Sequence, residues 1–299
     1  MSVLVVGSTT FDTVETPFGV ERDCLGGSAT YFGLAASRFT QVRMVSVVGA
    51  DFPDAHRELL ASRGVDLAGL EVQDGKTFRW SGRYSADMNS RQTLDVQLNT
   101  FGAFAPAIPA AFAATPFVFL ANGAPATQAT VLRQMQRPVF TVADTMDLWI
   151  ETQRDALLDL LRTVDGLIVN DQEVKMLTGE TNLIRAGRAV LELGPKLVIV
   201  KKGEHGAFLF SNFFQQALPA YPTDKVVDPT GAGDSFAGGF MGFLAESASI
   251  SVWNIKRALA YGTVTASFTV EGFGVRTIAD VGREQIERRY HELIQFVSV

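Results

Sequence analysis

Short apolar runs recur along the chain, and most of them close on Gly, Asn or Asp. Val3–Val6 ends at Gly7, Val42–Val48 at Gly49-Ala50-Asp51, and Phe117–Ala121 at Asn122-Gly123. Val139–Ala143 ends at Asp144-Thr145 and Leu167–Val169 at Asn170-Asp171, while Leu197–Lys201 passes through Lys202-Gly203 to a further run, Ala207–Phe210. Runs of this kind, without polar alternation, predict strands buried on both faces. Between them lie amphipathic stretches at 54–63, after Pro125, at 151–162 and at 183–193, which predict helices. Pro125 suits a first helical position, where no N–H is needed. Strand and helix in alternation predict βαβ units and a parallel sheet. Further helices are expected from Gly27 to Phe39, over 230–247, over Trp253–Thr269 and over Asp280–Val297, and Leu70–Val72 reads as an edge strand.

Residues 76–99 have a different period. Thr77, Arg79, Ser81 and Arg83 fall on one face of an alternating segment, with Phe78, Trp80, Gly82 and Tyr84 on the other. Alternation resumes over Thr93–Asn99, with Leu94, Val96 and Leu98 on one side. Together they predict an antiparallel hairpin turning at 86–90, with one wet face. Residues 13–24 read as an extended excursion with a turn at Gly19. From Val96 to Leu132 there is no charge, but Pro106, Pro109 and Pro116 interrupt the stretch. A membrane-spanning helix needs about 20 continuous apolar residues. The expectation here is a loop, a short Ala-rich helix and a buried strand, with no membrane partner.

Composition narrows the class. A chain of 299 residues with 47% hydrophobic content can bury a large core, and the net charge of −6 with no long basic run argues against nucleic acid. The single cysteine, Cys24, allows no disulfide within the chain, which fits a cytoplasmic protein. No basic segment precedes Val3, so no signal peptide is expected. His56, His205 and His291 are scattered, without metal-ligand spacing.

The chemistry is concentrated at 224–243. Val226 and Val227 run into Asp228-Pro229-Thr230, then Gly231-Ala232-Gly233-Asp234, then a small-residue helix. This reads as strand, tight turn and helix start. A helix N-terminus leaves unpaired N–H donors and carries partial positive charge, and glycines let an anion approach them. A carboxylate at the same place suits transfer of a phosphoryl group to a hydroxyl. Taken alone, Gly-Ala-Gly at a helix start serves tight packing equally well. Neither GxxxxGK[ST] nor a GxGxxG after the first strand is present, so neither a P-loop nor a dinucleotide oxidoreductase is indicated.

The stretch Asp228–Phe236 resembles the C-terminal signature of the ribokinase, or PfkB, family of carbohydrate and nucleoside kinases. The resemblance implies one kinase domain over 1–299, a ribokinase-like three-layer α/β/α fold with a mostly parallel central sheet. A small antiparallel β lid over about residues 11–24 and 74–100 is implied as well. It implies Asp234 as catalytic base and the amides of Gly231, Ala232 and Gly233 as the anion hole. Gly26-Gly27-Ser28-Ala29-Thr30-Tyr31 resembles the family's N-terminal motif, which with Asp12 and Asn122 would hold the acceptor. Where the family usually has Asn, this chain has Tyr31, whose flat face favours an acceptor with a ring that stacks. Asn170-Asp171-Gln172-Glu173 resembles the NxxE motif, implying Asn170 and Glu173 at Mg2+, directly or through water; it is equally a normal N-cap with an acidic first turn.

Val200–Ala207 resembles the nucleotide loop. This implies Gly203, Gly206 and one of Lys201 and Lys202, with Lys201 favoured, at the ATP phosphates, and Tyr261 at the adenine. Relatives hold a monovalent cation with carbonyls and an Asp like Asp228, which implies K+ near 270–274. Arg79 and Arg83 read as ligands for an anionic acceptor, or as a solvated lid face pairing in a homodimer. The expected activity is ATP-dependent phosphorylation of a primary hydroxyl on a sugar or nucleoside. An anionic sugar is the alternative acceptor, and a ligand-binding or regulatory protein on the same fold is the non-enzyme alternative.

Overall fold

Val3 and Val5 turn to one face of the first strand and Leu4 and Val6 to the other, and all four are buried. Each such side chain contributes about 1.5–3 kcal/mol on burial, so a strand apolar on both sides demands a layer of helices on each face. The computed structural model describes residues 1–298 and shows that arrangement. From the N-terminus, β1 (Val3–Val6) leads to β2 (Thr10–Thr16), β3 (Gly19–Gly26), α1 (Ser28–Ala36), β4 (Val42–Gly49), α2 (Asp54–Ser62) and β5 (Val65–Gln73). A hairpin follows, β6 (Phe78–Tyr84) and β7 (Arg91–Gln97), and then β8 (Phe117–Leu120). Next come α3 (Pro125–Gln134), β9 (Phe140–Asp144), α4 (Asp147–Thr152), α5 (Arg154–Leu161), β10 (Gly166–Asn170), α6 (Asp171–Thr178), α7 (Leu183–Glu192) and β11 (Leu197–Lys201). The chain closes with β12 (Ala207–Ser211), β13 (Gln215–Leu218), α8 (Ala232–Ser247), α9 (Val252–Thr269), α10 (Arg276–Asp280) and α11 (Arg283–Val297).

The large sheet runs β13-β12-β11-β10-β9-β8-β1-β4-β5. It is parallel except where β12 pairs antiparallel with β11 and β13. Val3 and Val5 share one core with α1, α8, α9 and α11, through residues such as Phe32, Phe240, Leu259 and Ile286. Leu4 and Val6 share the other with Val131 of α3, Leu157 of α5, Val174 of α6 and Val190 of α7. A second sheet, β3-β2-β6-β7, stands beside it. Its outer pairs are antiparallel, and β2 and β6 at its centre run parallel. Among the described residues no helix is long and apolar enough to cross a membrane.

Several expectations need correction. The Ala-rich helix near 110–115 is a pair of turns, with Phe112 N–H donating to Pro109 O and Ala113 N–H to Ala110 O. Pro109 and Pro116 confine that stretch to six residues, and Pro116 has no N–H with which to carry a helix further. Val226 and Val227 form no strand; the N–H groups of Val227 and Asp228 both donate to Val270 O, at 2.7 and 3.1 Å. The helix expected over 151–162 is divided into α4 and α5 at Gln153, where φ is −135°. The edge strand is longer than Leu70–Val72, and β13 gave no apolar pattern, because Gln215, Gln216 and Ala217 are not fully buried.

Helix α8 is what brings the two sheets' chemistry together. Its glycines let α1 and α9 approach: a Cβ on Gly238 would lie 2.5 Å from Phe32 O and 2.7 Å from Ala35 Cβ. Gly238→Val is expected to destabilise the fold by about 1–3 kcal/mol through overpacking, read as a lower midpoint in thermal or urea unfolding. An unchanged midpoint would show that the α1–α8 contact is looser than described.

Candidate active site

Asp144, Asn170 and Lys201 end the parallel strands β9, β10 and β11, and Gly7 follows β1, all at one edge of the sheet. That edge is where open α/β sheets bind ligands. The N-terminus of α8 is aimed at it. Asp228 Oδ1 accepts the N–H of Thr230 at 2.9 Å, and Oδ2 accepts the N–H of Gly274 at 3.2 Å. Gly231 follows in the left-handed region, φ 75°, and a Cβ there would come within 2.3 Å of the Tyr31 ring. Ala232 N–H turns back to Pro229 O at 3.1 Å, whereas the N–H groups of Gly231, Gly233 and Asp234 have no acceptor among the described residues. A Cβ on Gly233 would sit 2.8 Å from Lys201 Nζ, so an ammonium overhangs these free donors. The result is a pocket of positive potential for an anion, with the Asp234 carboxyl in the same turn.

Acidic groups crowd around Lys201. Burial pushes Asp234 up to about 7, Asp144 adds to the rise, and Lys201 opposes it. Burial and then Asp144 push Glu173 up to about 7. Asp144 is itself raised by burial, with Lys201 and a 2.8 Å hydrogen bond from Thr145 N–H working against the rise. Burial would lower Lys201, but Asp144, Glu173 and Asp234 outweigh it and hold the ammonium above its ordinary range.

Asp12, on β2, forms the other side of the cleft. Its carboxylate accepts the Thr10 hydroxyl at 2.7 Å and the Gly27 N–H, while burial pushes it up to about 7. Gly26 makes room for it, since a Cβ there would fall 2.0 Å from Asp12 Oδ2. Tyr31 is 1% exposed, and its hydroxyl, also buried, has no hydrogen-bond partner. From the small sheet, Tyr84 reaches across so that its hydroxyl lies 3.3 Å from Thr230 Oγ1. A carboxylate at about 7, free main-chain donors and an ammonium within one cleft form a site for transferring an anionic group.

A model described as pfkB family carbohydrate kinase matches residues 4–281. The chain belongs to that family. Its members are phosphotransferases acting on hydroxyl groups, and this protein is a sugar or nucleoside kinase of that kind. It is 28% identical over 247 residues to a cytidine kinase from Thermococcus kodakarensis, covering 81% of this chain and 87% of the relative. It is 27% identical over 305 residues to a nucleoside kinase from Methanothermobacter thermautotrophicus, covering 96% and 94%. The fold matches that of the aminoimidazole riboside kinase from Salmonella enterica, solved with aminoimidazole riboside and an ATP analogue. The TM-score is 0.77 at 19% identity, over 97% of this chain and all of that one, 100%.

Not every residue expected at the kinase site is gathered there. Arg79 pairs with Asp23 and, at 3.3 Å, with Asp51, and lies over the Phe11 ring. Arg83 pairs with Glu15 at 2.5 Å. Both guanidinium groups are thus taken by carboxylates of their own neighbourhood. Asn122 stands at the end of β8, but its amide donates to Met146 Sδ at 3.1 Å and accepts Trp149 Nε1–H at 3.0 Å. Tyr261 is built into the helical layer rather than the cleft. Its ring stacks on Tyr290 and Phe243, at 4.3 and 4.5 Å, and its hydroxyl donates to Glu287 at 2.9 Å.

On the donor side, Asn170 and Glu173 form a complete capping box for α6. Asn170 Oδ1 accepts the N–H groups of Gln172 and Glu173, and Glu173 Oε2 accepts the Asn170 N–H at 2.7 Å. The free capacity therefore lies on Glu173 Oε1 and on Asp144. Two hard oxygens suit Mg2+, which keeps waters and takes phosphate oxygens for the rest of its shell. Asp228, with both oxygens engaged by N–H groups, staples the anion loop to 270–274. Lys202 turns away, with Nζ over the Phe208 ring at 4.6 Å, so Lys201 is the lysine in the cleft. Gly203 and Gly206, at φ 54° and 84°, shape the loop beyond β11.

Asp144, Tyr84 and Thr230 escaped the sequence reading as site residues. For Asp144 a signal existed, a carboxylate at the C-terminal end of a parallel strand. Because Asp234 is held above its unfolded value of 3.8, the folded form keeps a proton the unfolded chain has lost. Its contribution to stability is complete below that value and disappears as pH rises through about 7. Asp234→Asn is therefore expected to raise the unfolding midpoint of the ligand-free protein at about pH 8 and to raise it clearly less near pH 5, where only part of the window between 3.8 and about 7 has been crossed. Calorimetry at both values checks this, and an equal effect at the two would refute it.

Proposed function

We propose that the protein is an ATP-dependent nucleoside kinase that moves the γ-phosphoryl group to a primary ribose hydroxyl. The observation that carries this reading is Asp234 in the first turn of α8, beside unpaired main-chain donors and below Lys201. Asp234 would take the proton of the acceptor hydroxyl as its oxygen bonds to phosphorus and the bond to the ADP oxygen breaks. The N–H groups of Gly231, Gly233 and Asp234 and the Lys201 ammonium would receive charge developing on the phosphoryl oxygens. Bound Mg2+, held through Glu173 and Asp144, would neutralise phosphate charge. Asp12, with Gly27, would orient the sugar hydroxyls.

A nucleoside is favoured over a plain sugar by the lid, whose Trp80 and Tyr84 share one face of β6 with Tyr84 lying against the anion loop. Aromatic faces of this kind stack on a base. The cytidine and nucleoside kinases among the relatives agree with it. The anionic-sugar alternative loses its support once Arg79 and Arg83 are charge-paired.

ADP release measured with ATP, Mg2+ and a mixed pool of nucleosides and sugars tests the reading, with the product identified by mass. A nucleoside monophosphate is expected, and phosphorylation of sugars alone would sink the nucleoside assignment. Asp234→Asn is expected to lose at least about 10²-fold in kcat, the scale of a lost general base. Turnover near that of the wild type would remove Asp234 from its role.

A further inference from the structure

The turn between β6 and β7 is anchored on both halves of the cleft. At its base the Tyr84 hydroxyl lies 3.3 Å from Thr230 Oγ1 in the anion loop. At its tip Asn89 Nδ2 donates to Glu204 Oε1 at 3.0 Å. Asn89 Oδ1 also stands 3.7 Å from where a Cβ on Gly203 would be. Gly203 and Glu204 belong to the loop that leaves β11 just after Lys201, the lysine that overhangs the anion donors.

Both partners in this contact are held by their own turns. In the hairpin, Ser85 N–H donates to Ser90 O at 2.9 Å and Met88 N–H to Ser85 O at 3.0 Å. The Asp87 carboxylate accepts the Ser85 hydroxyl at 2.5 Å and the Asn89 N–H at 3.1 Å. In the facing loop, Lys202 N–H donates to Gly206 O at 2.8 Å and Gly206 N–H to Gly203 O at 3.1 Å. A Cβ on Gly206 would lie 2.0 Å from Leu218 O, so that loop is pressed against β13. Two self-bonded turns joined by a side chain move as bodies, and a shift in one is felt by the other through the joint. Every residue of β7 is exposed. That strand therefore adds little burial to keep the hairpin closed, which leaves weight on the contacts of Tyr84 and Asn89.

We propose that Asn89 is a positioning residue that ties the lid to the nucleotide loop: a nucleotide that fixes residues 202–206 holds the hairpin closed through the Asn89–Glu204 contact, so the lid answers to the phosphate donor as well as to the acceptor. The inference rests on the reading of residues 201–206 as the ATP loop. Linkage requires the converse too, since a closed lid raises the affinity for nucleotide by the same factor. A single hydrogen bond of this kind supports a factor of about three to ten.

Asn89→Ala, Glu204→Ala, the double variant and Glu204→Gln in the full-length protein test it with Mg2+ and a non-hydrolysable ATP analogue, without any acceptor. Calorimetric titration reads the affinity, and hydrogen exchange across residues 78–97 reads closure of the hairpin. In the wild type the analogue is expected to slow that exchange by about three- to tenfold. Each Ala variant should lose the slowing and bind the analogue more weakly by a similar factor. The double variant should bind no more weakly than either single one, because all remove the same contact. Glu204→Gln keeps an oxygen for the Asn89 amide and should stay close to wild type. Slowing that survives in Asn89→Ala, or binding by the wild type with no slowing, overturns the proposal and leaves the ATP reading standing. Additive losses in the double variant also overturn it, by making the two side chains act separately on the nucleotide. If the wild type does not bind the analogue at all, the ATP reading fails first and the proposal falls with it.

Discussion

An exposed helix N-terminus at the edge of a parallel sheet is the constraint that organises this protein. Helix α8 must keep the donors of Gly231, Gly233 and Asp234 free, and a free donor inside a protein is costly unless something else holds the backbone still. Asp228 provides part of that hold by accepting from Thr230 and Gly274. The Tyr31 ring provides another part by closing on the αL turn at Gly231. The rest comes from the buried face of α8, where Phe236, Phe240 and Leu244 pack against neighbouring helices. The candidate chemistry is concentrated in one turn, and the helical layer behind it holds that turn in place.

The same place concentrates charge. Asp12, Asp144, Glu173 and Asp234 are all raised, by burial first, with Lys201 as the central counter-charge. Ligand-free, such a cluster works against folding at neutral pH. The polyphosphate and metal ion proposed for the site would change the balance by adding charges of both signs where they complement it. With Asp234 as the proposed base, stability and catalysis would be set in opposition there, as is common where a group must be ready to take a proton.

The two sheets divide the work. In the proposed reaction the large sheet would supply the phosphate side from the ends of β9, β10 and β11, and the small sheet would supply Asp12, Trp80 and Tyr84. Their junction is tied at Thr77, whose N–H and hydroxyl both donate to Asp51 Oδ1 at 2.7 Å. Closure of the small sheet over the cleft, seen at Tyr84–Thr230 and Asn89–Glu204, joins the acceptor half to the donor half. Neither half is complete without the other.

Local patterns in the sequence were sufficient wherever one element decides the matter. Apolar runs ending in polar residues marked β1, β4 and β8 to β11, period-two alternation marked the lid hairpin, and Gly231–Asp234 marked the helix start, because sheet burial, pleating and turn geometry are short-range consequences of residue order. Long-range company was not legible. Whether Arg79 met a ligand or Asp23, whether Tyr261 faced a base or Tyr290, and whether Lys201 or Lys202 entered the cleft depended on elements far away in the chain. Asp144 acquires meaning only beside Lys201 and Asp234. The residues alone determined the layered fold and the turn to which the proposed chemistry is assigned. The tertiary structure decided which charges face that turn, because electrostatic partners are set by distance in space, which the order of residues does not specify.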